Sequence, residues 1–206
     1  MIRRLAMCIV LGAVVATARD LTAPACWSPT RTVDGIEAWG AQGNGDYWGF
    51  ARGRVHAPAA VILERITNFA LLPSLHPWLD RVRVLERGPD HARVYFHYDL
   101  PWPLADRSYT AEHHWGRDAS GAAFLDIDDA GSHASPADDA VHVERVLGRM
   151  RFTPVEDGSA TDVEYLLRAD LAGLLPRSVR AQSAWKIPLN VVLSLPRAID
   201  PRFAVR

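Results

Sequence analysis

Residues able to do chemistry are concentrated in one short segment, DLPWPLADRSYTAEHHW (99–115). Side chains of an extended strand alternate between two faces, so Arg107, Tyr109, His113 and Trp115 would share one face. A ligand pocket is mostly apolar and aromatic, with a few polar groups that orient the ligand. The composition of this face therefore favours a wall of a binding cavity.

Acid–base catalysis and metal binding are the other uses such groups could have. Tyr109 and His113, with Asp99 or Glu144, could supply an acid and a base. The sequence shows no Ser-His-Asp elbow, no phosphate-binding glycine loop and no cofactor fingerprint. His113 and His114 would point to opposite faces, and no spaced set of histidines or cysteines accompanies them. We therefore predict no catalytic residue, no metal and no cofactor, and an enzyme is the less favoured interpretation.

Arg107 is the polar side chain that fits such a cavity best. There it could pair with a carboxylate or meet a hydroxyl group of the ligand. It could equally pair with Asp106 or Asp99 at the sheet edge and only fix the turn, because a long cation seldom stays buried without a partner. The residues by themselves leave both roles open.

The candidate strand requires a sheet around it. Apolar alternation and turn residues predict strands at 34–40, 46–55, 81–87, 91–100, 106–115, 122–127, 141–155 and 160–171. For strand 91–100, alternation leaves open whether Val94, Phe96 and Tyr98 or the intervening residues face inwards.

Two helices complete the pattern. One is predicted from Pro58 to Phe69, and a longer one over 177–198 with a kink at Pro188. This order predicts an α+β fold in which a curved antiparallel sheet wraps around the C-terminal helix. The pattern does not decide whether the space between sheet and helix is filled by side chains or left as a pocket.

Three segments, in this order of elements, resemble bacterial START (StAR-related lipid transfer) domains of the helix-grip superfamily. YDLPWPLADRSY (98–109) is similar to the family's PWP signature, and MRFTPVEDGSATDVEYLLRADLAGLLP (150–176) is similar to its end region. LHPWL (75–79) is similar to its tryptophan loop. The chain departs from the family at Arg107-Ser108, where Arg-Asp is frequent, and at AGLLP, where Gly-Gly often precedes Ile-Pro.

The resemblance implies a helix-grip fold whose internal cavity carries a lipid or other hydrophobic small molecule without covalent chemistry. A cyclase/aromatase-like or hydrolase enzyme of the same superfamily, and a structural domain with no ligand, are the alternatives. The implied partners are the apolar molecule and a membrane in transient contact, with 171–176 as a mobile gate. The candidate cavity residues are Phe96, Tyr98, Arg107, Tyr109, His113, Trp115, Tyr165, Leu175, Trp185 and Leu189.

Length, charge and cysteine content limit the remaining possibilities. A chain of 206 residues is expected to form one domain, and its net charge of −1 offers no general attraction to nucleic acid. We expect a monomer. Loss of the N-terminal signal, described next, would leave Cys26 as an unpaired thiol without an internal disulfide.

The N-terminus has the features of an export signal. Arg3 and Arg4 precede an apolar run that ends in an Ala-x-Ala pattern at Ala18. We predict a signal peptide (1–18) cut after Ala18, an N-terminal segment (19–33), a START-like lipid-binding domain (34–199) and a C-terminal tail (200–206). The mature protein is then expected to be periplasmic or secreted. An uncleaved N-terminal membrane anchor is the alternative.

Overall fold

The computed structural model describes residues 28–43, 46–76, 78–130, 139–143, 145–170 and 177–200. This part of the chain forms ten strands and three α-helices. The strands are β1 (Ser28–Val33), β2 (Ile36–Gly43), β3 (Asp46–Val55), β4 (Leu79–Arg87), β5 (His91–Tyr98), β6 (Arg107–Arg117), β7 (Ala123–Asp129), β8 (Val141–His142), β9 (Arg145–Val155) and β10 (Ala160–Asp170). The helices are α1 (Ala59–Ile66), α2 (Leu72–Leu75) and α3 (Arg177–Ile199), with short 3₁₀ turns at Phe69–Leu71 and Glu156–Gly158.

All ten strands belong to one sheet. Its order is β1-β2-β3-β10-β9-β7-β6-β5-β4, and β8 pairs in parallel with the first residues of β6. The last strand, β10, lies between β3 and β9 and so joins the N-terminal hairpins to the rest of the sheet. Helix α3 follows β10 in the chain and packs against β2, β3 and β10.

One glycine of the sheet allows α3 to approach it closely. Gly40 and Gly49 lie opposite each other on β2 and β3. A Cβ atom on Gly49 would lie 1.8 Å from the carbonyl oxygen of Ala184 in α3. Pro188 stands four residues further along and has no N–H to donate to that carbonyl. The helix backbone thus rests directly on the glycine of β3.

The described residues contain three clusters of buried apolar side chains: one on β2 and β3 is formed by Trp39, Trp48 and Phe50, and the other two meet at β6. The larger joins α1 and α3 to β2, β3, β7, β9 and β10, and includes Val163 and Val192. The smaller gathers Phe69 and Leu72 against β4 and β5. Tyr109 and Trp115 of β6 pack against both clusters. The inner face of β6 therefore forms the boundary between them.

The predicted order of elements is confirmed, with several local differences. Strand β1 was not predicted, and the sheet begins at Ser28 rather than at residue 34. SPTRTV is mostly polar, but Asp34 and Gly35 have φ values of 49° and 77° and form the tight turn of a β1–β2 hairpin. An Asp-Gly pair is the sequence signal that could have found it.

Two further boundaries differ from the prediction, whereas the long C-terminal helix is present where it was predicted. The predicted strand 141–155 is two strands, because 141–142 pairs with β6 whereas β9 pairs with β7 and β10. The first helix ends at Ile66, where the Thr67 hydroxyl donates to the Leu63 carbonyl at 2.8 Å, so Phe69 lies in a separate turn. Helix α3 runs without interruption through Pro188. No helix of the described residues is long and apolar enough to cross a membrane.

Candidate functional site

Strands β5 and β6 place an aromatic row on the inner face of the sheet. Their antiparallel register sets Phe96 opposite Tyr109, and the two rings stack with centroids 4.9 Å apart. The rings of Tyr98 and Tyr109 stack at 6.1 Å, and His113 lies 5.6 Å from Phe96. Phe96 and Tyr98 therefore face the interior, which alternation along β5 alone did not decide.

Rings from another element close one end of this row. Phe69 meets His113 edge-on at 4.9 Å and lies 6.5 Å from Trp115. The guanidinium of Arg87 lies over both Phe69, at 5.8 Å, and Trp115, at 5.5 Å. Arg87 also donates to the carbonyl of Thr67 at 2.9 Å. This end of the row is therefore aromatic and capped by a cation.

His113 is buried in this aromatic environment, with 4% of its surface exposed. Burial lowers the pKa of His113 to about 4, against a smaller opposite effect of the nearby carbonyls of Ala111 and Ala92. Its Nδ1 atom has no hydrogen-bond partner within the described residues. The imidazole is therefore neutral at pH 7.

Tyr165 lies on the same inner face of the sheet, on β10, which β9 and β7 separate from β6. Its ring lies over Gly148 of β9, where an added Cβ atom would be 3.2 Å from Tyr165 Cε2 and 3.3 Å from Ile127 Cδ1. Its hydroxyl group interacts electrostatically with those of Tyr98 and Tyr109. Burial raises the pKa of all three tyrosines, so the three phenols are neutral.

Arg107 turns back towards the loop that precedes β6. It is 8% exposed, and its Nη1 atom donates to the backbone carbonyls of Ala105 and, at 3.2 Å, Asp106. Burial lowers the pKa of Arg107, an effect that the charge of Asp106 opposes. These contacts to backbone oxygens correspond to the turn-fixing role.

A second set of contacts holds the same turn from the outer face. The buried ring of His97 lies 2.6 Å from Asp80 through Nδ1 and 4.0 Å from Asp106 through Nε2. Asp106 in turn accepts the N–H of Leu100 at 3.1 Å. The PWP turn is therefore tied to β4 and β5 as well as to β6.

The remaining candidates lie on or before α3. Leu189 is 4% exposed and belongs to the larger cluster. Trp185 contacts Arg31 at 5.3 Å and lies beside Gly40, so the structure places it near β1 and β2 rather than beside the rings of β5 and β6. Leu175 lies outside the described residues, as do the predicted gate 171–176, Glu144, Cys26 and the N-terminal signal.

The middle of the aromatic row is incompletely covered. Tyr98, Tyr109 and Trp115 remain partly accessible, whereas Val94 and Ala111 on the same face are fully buried. Tyr109 and Trp115 also lie between the two apolar clusters and pack against both. The partly accessible part of the row therefore consists of aromatic rings and of the neutral hydroxyl groups of Tyr98 and Tyr109. No group of three potential metal ligands occurs among the described residues.

Two residues of this site, Phe69 and Gly148, were not predicted from the sequence. The helical spacing of Phe69 predicts a core residue. It does not reveal that the Phe69 ring contacts the rings of His113 and Trp115. Gly148 makes room for Tyr165, and its signal is the presence of glycine inside a strand, which often marks a close approach.

Comparison with known proteins identifies the fold. No protein-family model matches the chain, and no curated protein matches it in sequence. The STAR-related lipid transfer protein of Xanthomonas axonopodis is 18% identical over 84% of this chain and 98% of that chain, with a TM-score of 0.75. Human STARD10 is 15% identical over 88% and 77% of the two chains, with a TM-score of 0.71.

An enzyme shares the architecture more distantly. The Zhui aromatase/cyclase of Streptomyces sp. R1128 is 16% identical over 75% of this chain and 91% of that chain, with a TM-score of 0.51. The protein is therefore an α+β protein of the helix-grip type. More particularly, it has the fold of START domains, as the resemblance of its sequence implied.

Proposed function

We propose that this protein binds one lipid or other hydrophobic small molecule between the inner face of β5 and β6 and helix α3, and releases it unchanged. The observation that carries the proposal is the partial accessibility of Tyr109 and Trp115 between two apolar clusters. Burial of a ligand there would contribute about 25 cal/mol per Å² of apolar surface. The structural neighbours from Xanthomonas axonopodis and human include proteins named for lipid transfer.

The electrostatic state of the inner face supports carriage. An efficient general acid or base has a pKa near the working pH. Burial moves the pKa of His113 down to about 4 and the pKa values of Tyr98, Tyr109 and Tyr165 upwards, away from neutrality. These groups are therefore suited to hydrogen bonding and packing.

Native mass spectrometry of the protein purified from its own host, followed by lipid extraction, tests this function. We expect one copurifying apolar molecule per chain, released unchanged. A chemically altered molecule would instead indicate an enzyme of the cyclase or hydrolase type. A protein that is empty and also fails to bind a fluorescent lipid would contradict the proposal.

A matched pair of variants places the ligand. Trp115→Ala removes an accessible ring of the inner face, and we expect about tenfold weaker binding of the fluorescent lipid. His114→Ala alters the exposed neighbour on the opposite face of β6 and serves as the control. Equal affinities for the two variants would argue against binding at the inner face of β6.

We also propose transient contact with a membrane at the PWP end of the sheet. Trp102 and Trp78 are 92% and 58% exposed, and the Asp99 N–H donates to the Trp78 carbonyl at 2.8 Å, so their loops are adjacent. Tryptophan favours the membrane–water interface. The groove beside Trp78, about 360 Å³ in volume, is lined by the apolar residues Pro73 and Leu79 and also by His76, Asp80 and Asp99.

Sedimentation with phosphatidylcholine vesicles measures this contact. Combining Trp78→Ala with Trp102→Ala is expected to reduce the bound fraction severalfold, because both anchoring rings are lost. The control combines Val84→Ala with Leu85→Ala, which removes exposed apolar side chains from the edge strand β4. A similar reduction in the control would show that the tryptophans have no special role.

We also propose that the protein is exported to the periplasm or secreted, and that its signal peptide is cleaved after Ala18. N-terminal sequencing of the protein from its host should then begin at Arg19. An intact N-terminus recovered in the membrane fraction would contradict cleavage and favour the anchor.

A further inference from the structure

Three tyrosine side chains approach one another in the interior, two from the adjacent strands β5 and β6 and one from the more distant strand β10. The rings of Tyr98 and Tyr109 stack with centroids 6.1 Å apart, so that their hydroxyl groups influence each other electrostatically. Tyr165 crosses the neighbouring strand over Gly148, and its hydroxyl lies near enough to influence the other two electrostatically. These three side chains are called the tyrosine cluster below.

The rest of the same face offers no spare charge to a ligand. Among the described inner-face residues of β5, β6, β7, β9 and β10, the ionised side chains are Arg107, Arg117 and Asp129, and each already has a partner. Arg107 in particular donates to the carbonyls of the turn before β6. His113 is buried and neutral. The polar groups in the middle of the face are therefore uncharged.

We propose that the tyrosine cluster holds an uncharged oxygen-bearing group of the ligand, a hydroxyl or a carbonyl, and that the site discriminates against ionised carboxylates and phosphates. This inference rests on the proposed function, because it assumes that an apolar molecule occupies the inner face. Tyr98, Tyr109 and Tyr165, rather than Arg107, would then select the polar group of the ligand.

The selectivity follows from the chemistry of the phenol group. A neutral phenol both donates and accepts a hydrogen bond, so it can satisfy an alcohol in either sense or donate to a carbonyl. An ionised carboxylate beside the three phenols would lose its hydration and find no ionised side chain among them, which weakens its binding. A pure hydrocarbon gains the same apolar burial but leaves the phenols without an additional partner.

Three dodecyl compounds with the same chain test this on the wild-type full-length protein. Dissociation constants of 1-dodecanol, dodecane and dodecanoate are measured at pH 8 by displacement of an uncharged solvatochromic dye. We expect dodecanol to bind about three- to tenfold more tightly than dodecane, the effect of one hydrogen bond, and at least about tenfold more tightly than dodecanoate.

The outcomes separate this inference from the proposed function. If neither the dye nor any dodecyl compound binds, the proposed function fails. If all three bind but the alcohol and the alkane bind equally, or dodecanoate binds as tightly as dodecanol, the function stands and the tyrosine cluster does not select the ligand.

Hydroxyl deletions identify the residues. Tyr98→Phe, Tyr109→Phe and Tyr165→Phe each remove one oxygen and keep the ring, so the affinity for dodecane should stay unchanged while the preference for dodecanol falls. Tyr95→Phe is the matched control, because Tyr95 is a buried tyrosine on the opposite face of β5. Retention of the full preference in all three variants would overturn the assignment, and the wild-type ligand series decides selectivity even if a variant fails to fold.

Discussion

At the scale of single residues, the buried imidazole of His113 links folding to pH. Its pKa is about 4 in the folded protein and near 6.5 when it is exposed to water. Below pH 6.5 the unfolded chain therefore binds a proton that the folded chain does not. Stability is present in full above pH 6.5 and declines as the pH falls towards 4.

We predict that the free energy of unfolding falls by about 2 kcal/mol between pH 7 and pH 5 through His113 alone. Urea unfolding of wild type and of His113→Gln at the two pH values measures this contribution. The variant should lose less stability than wild type on acidification, even if it is less stable throughout. His76, whose pKa burial also lowers to about 4, remains in the variant and retains its own share of the dependence.

His114→Gln is the control, because this side chain is the solvent-exposed neighbour on the other face of β6. It should follow the wild-type curve. A His113→Gln protein whose stability changes with pH as much as that of wild type would show that His113 does not remain neutral in the folded state.

At the scale of elements, the contact between α3 and β3 depends on the absence of one methyl group. The carbonyl oxygen of Ala184 in α3 lies only 1.8 Å from the position that a Cβ atom of residue 49 would take. That carbonyl also lacks the usual helical donor, because Pro188 has no N–H. Glycine on β3 and proline on α3 are thus two parts of the same close packing, and neither has an obvious meaning when considered alone.

Gly49→Ala is predicted to destabilise the protein by at least about 3 kcal/mol, because the helix backbone would have to move away from the sheet. Chemical denaturation measures the change. Gly116→Ala in β6 is the control: its new methyl group would meet only the ring edge of Phe124, at 3.3 Å, and a small change is expected. Similar stability changes for the two variants would indicate that α3 can shift at little cost.

At the scale of the whole molecule, the two apolar clusters are joined at the inner face of β6. A ligand between them would contact both, so its binding free energy should appear as global stability. The START fold provides this arrangement by wrapping a sheet around a C-terminal helix that packs against only part of the inner face.

We predict that saturating dodecanol, at about 100 times its dissociation constant, stabilises the protein by about 2.7 kcal/mol. For a domain of this size the melting temperature should rise by roughly 5–10 °C. Differential scanning calorimetry tests this, with 1-propanol at equal concentration as the control for the solvent effect of an alcohol. An unchanged melting temperature with bound dodecanol would mean that the ligand does not stabilise the folded interior.

Much of the site was predictable from local patterns. Alternation along β6 placed Arg107, Tyr109, His113 and Trp115 on one face, because successive side chains of a strand point to opposite sides whatever the rest of the chain does. The same local rules predicted the helices and most strands. They missed β1, whose residues are mostly polar and whose signal was the turn at Asp34-Gly35.

The sequence by itself determined the order of elements, the shared face on β6 and the resemblance that matches the START fold. Only the tertiary structure decided that Phe96 and Tyr98 face inwards, that Arg107 turns back to the PWP loop and that Tyr165 crosses Gly148 towards Tyr109. The physical reason is the range of the interactions. Which face a side chain takes follows from its own backbone, whereas its partners follow from the pairing and curvature of strands far apart in the chain.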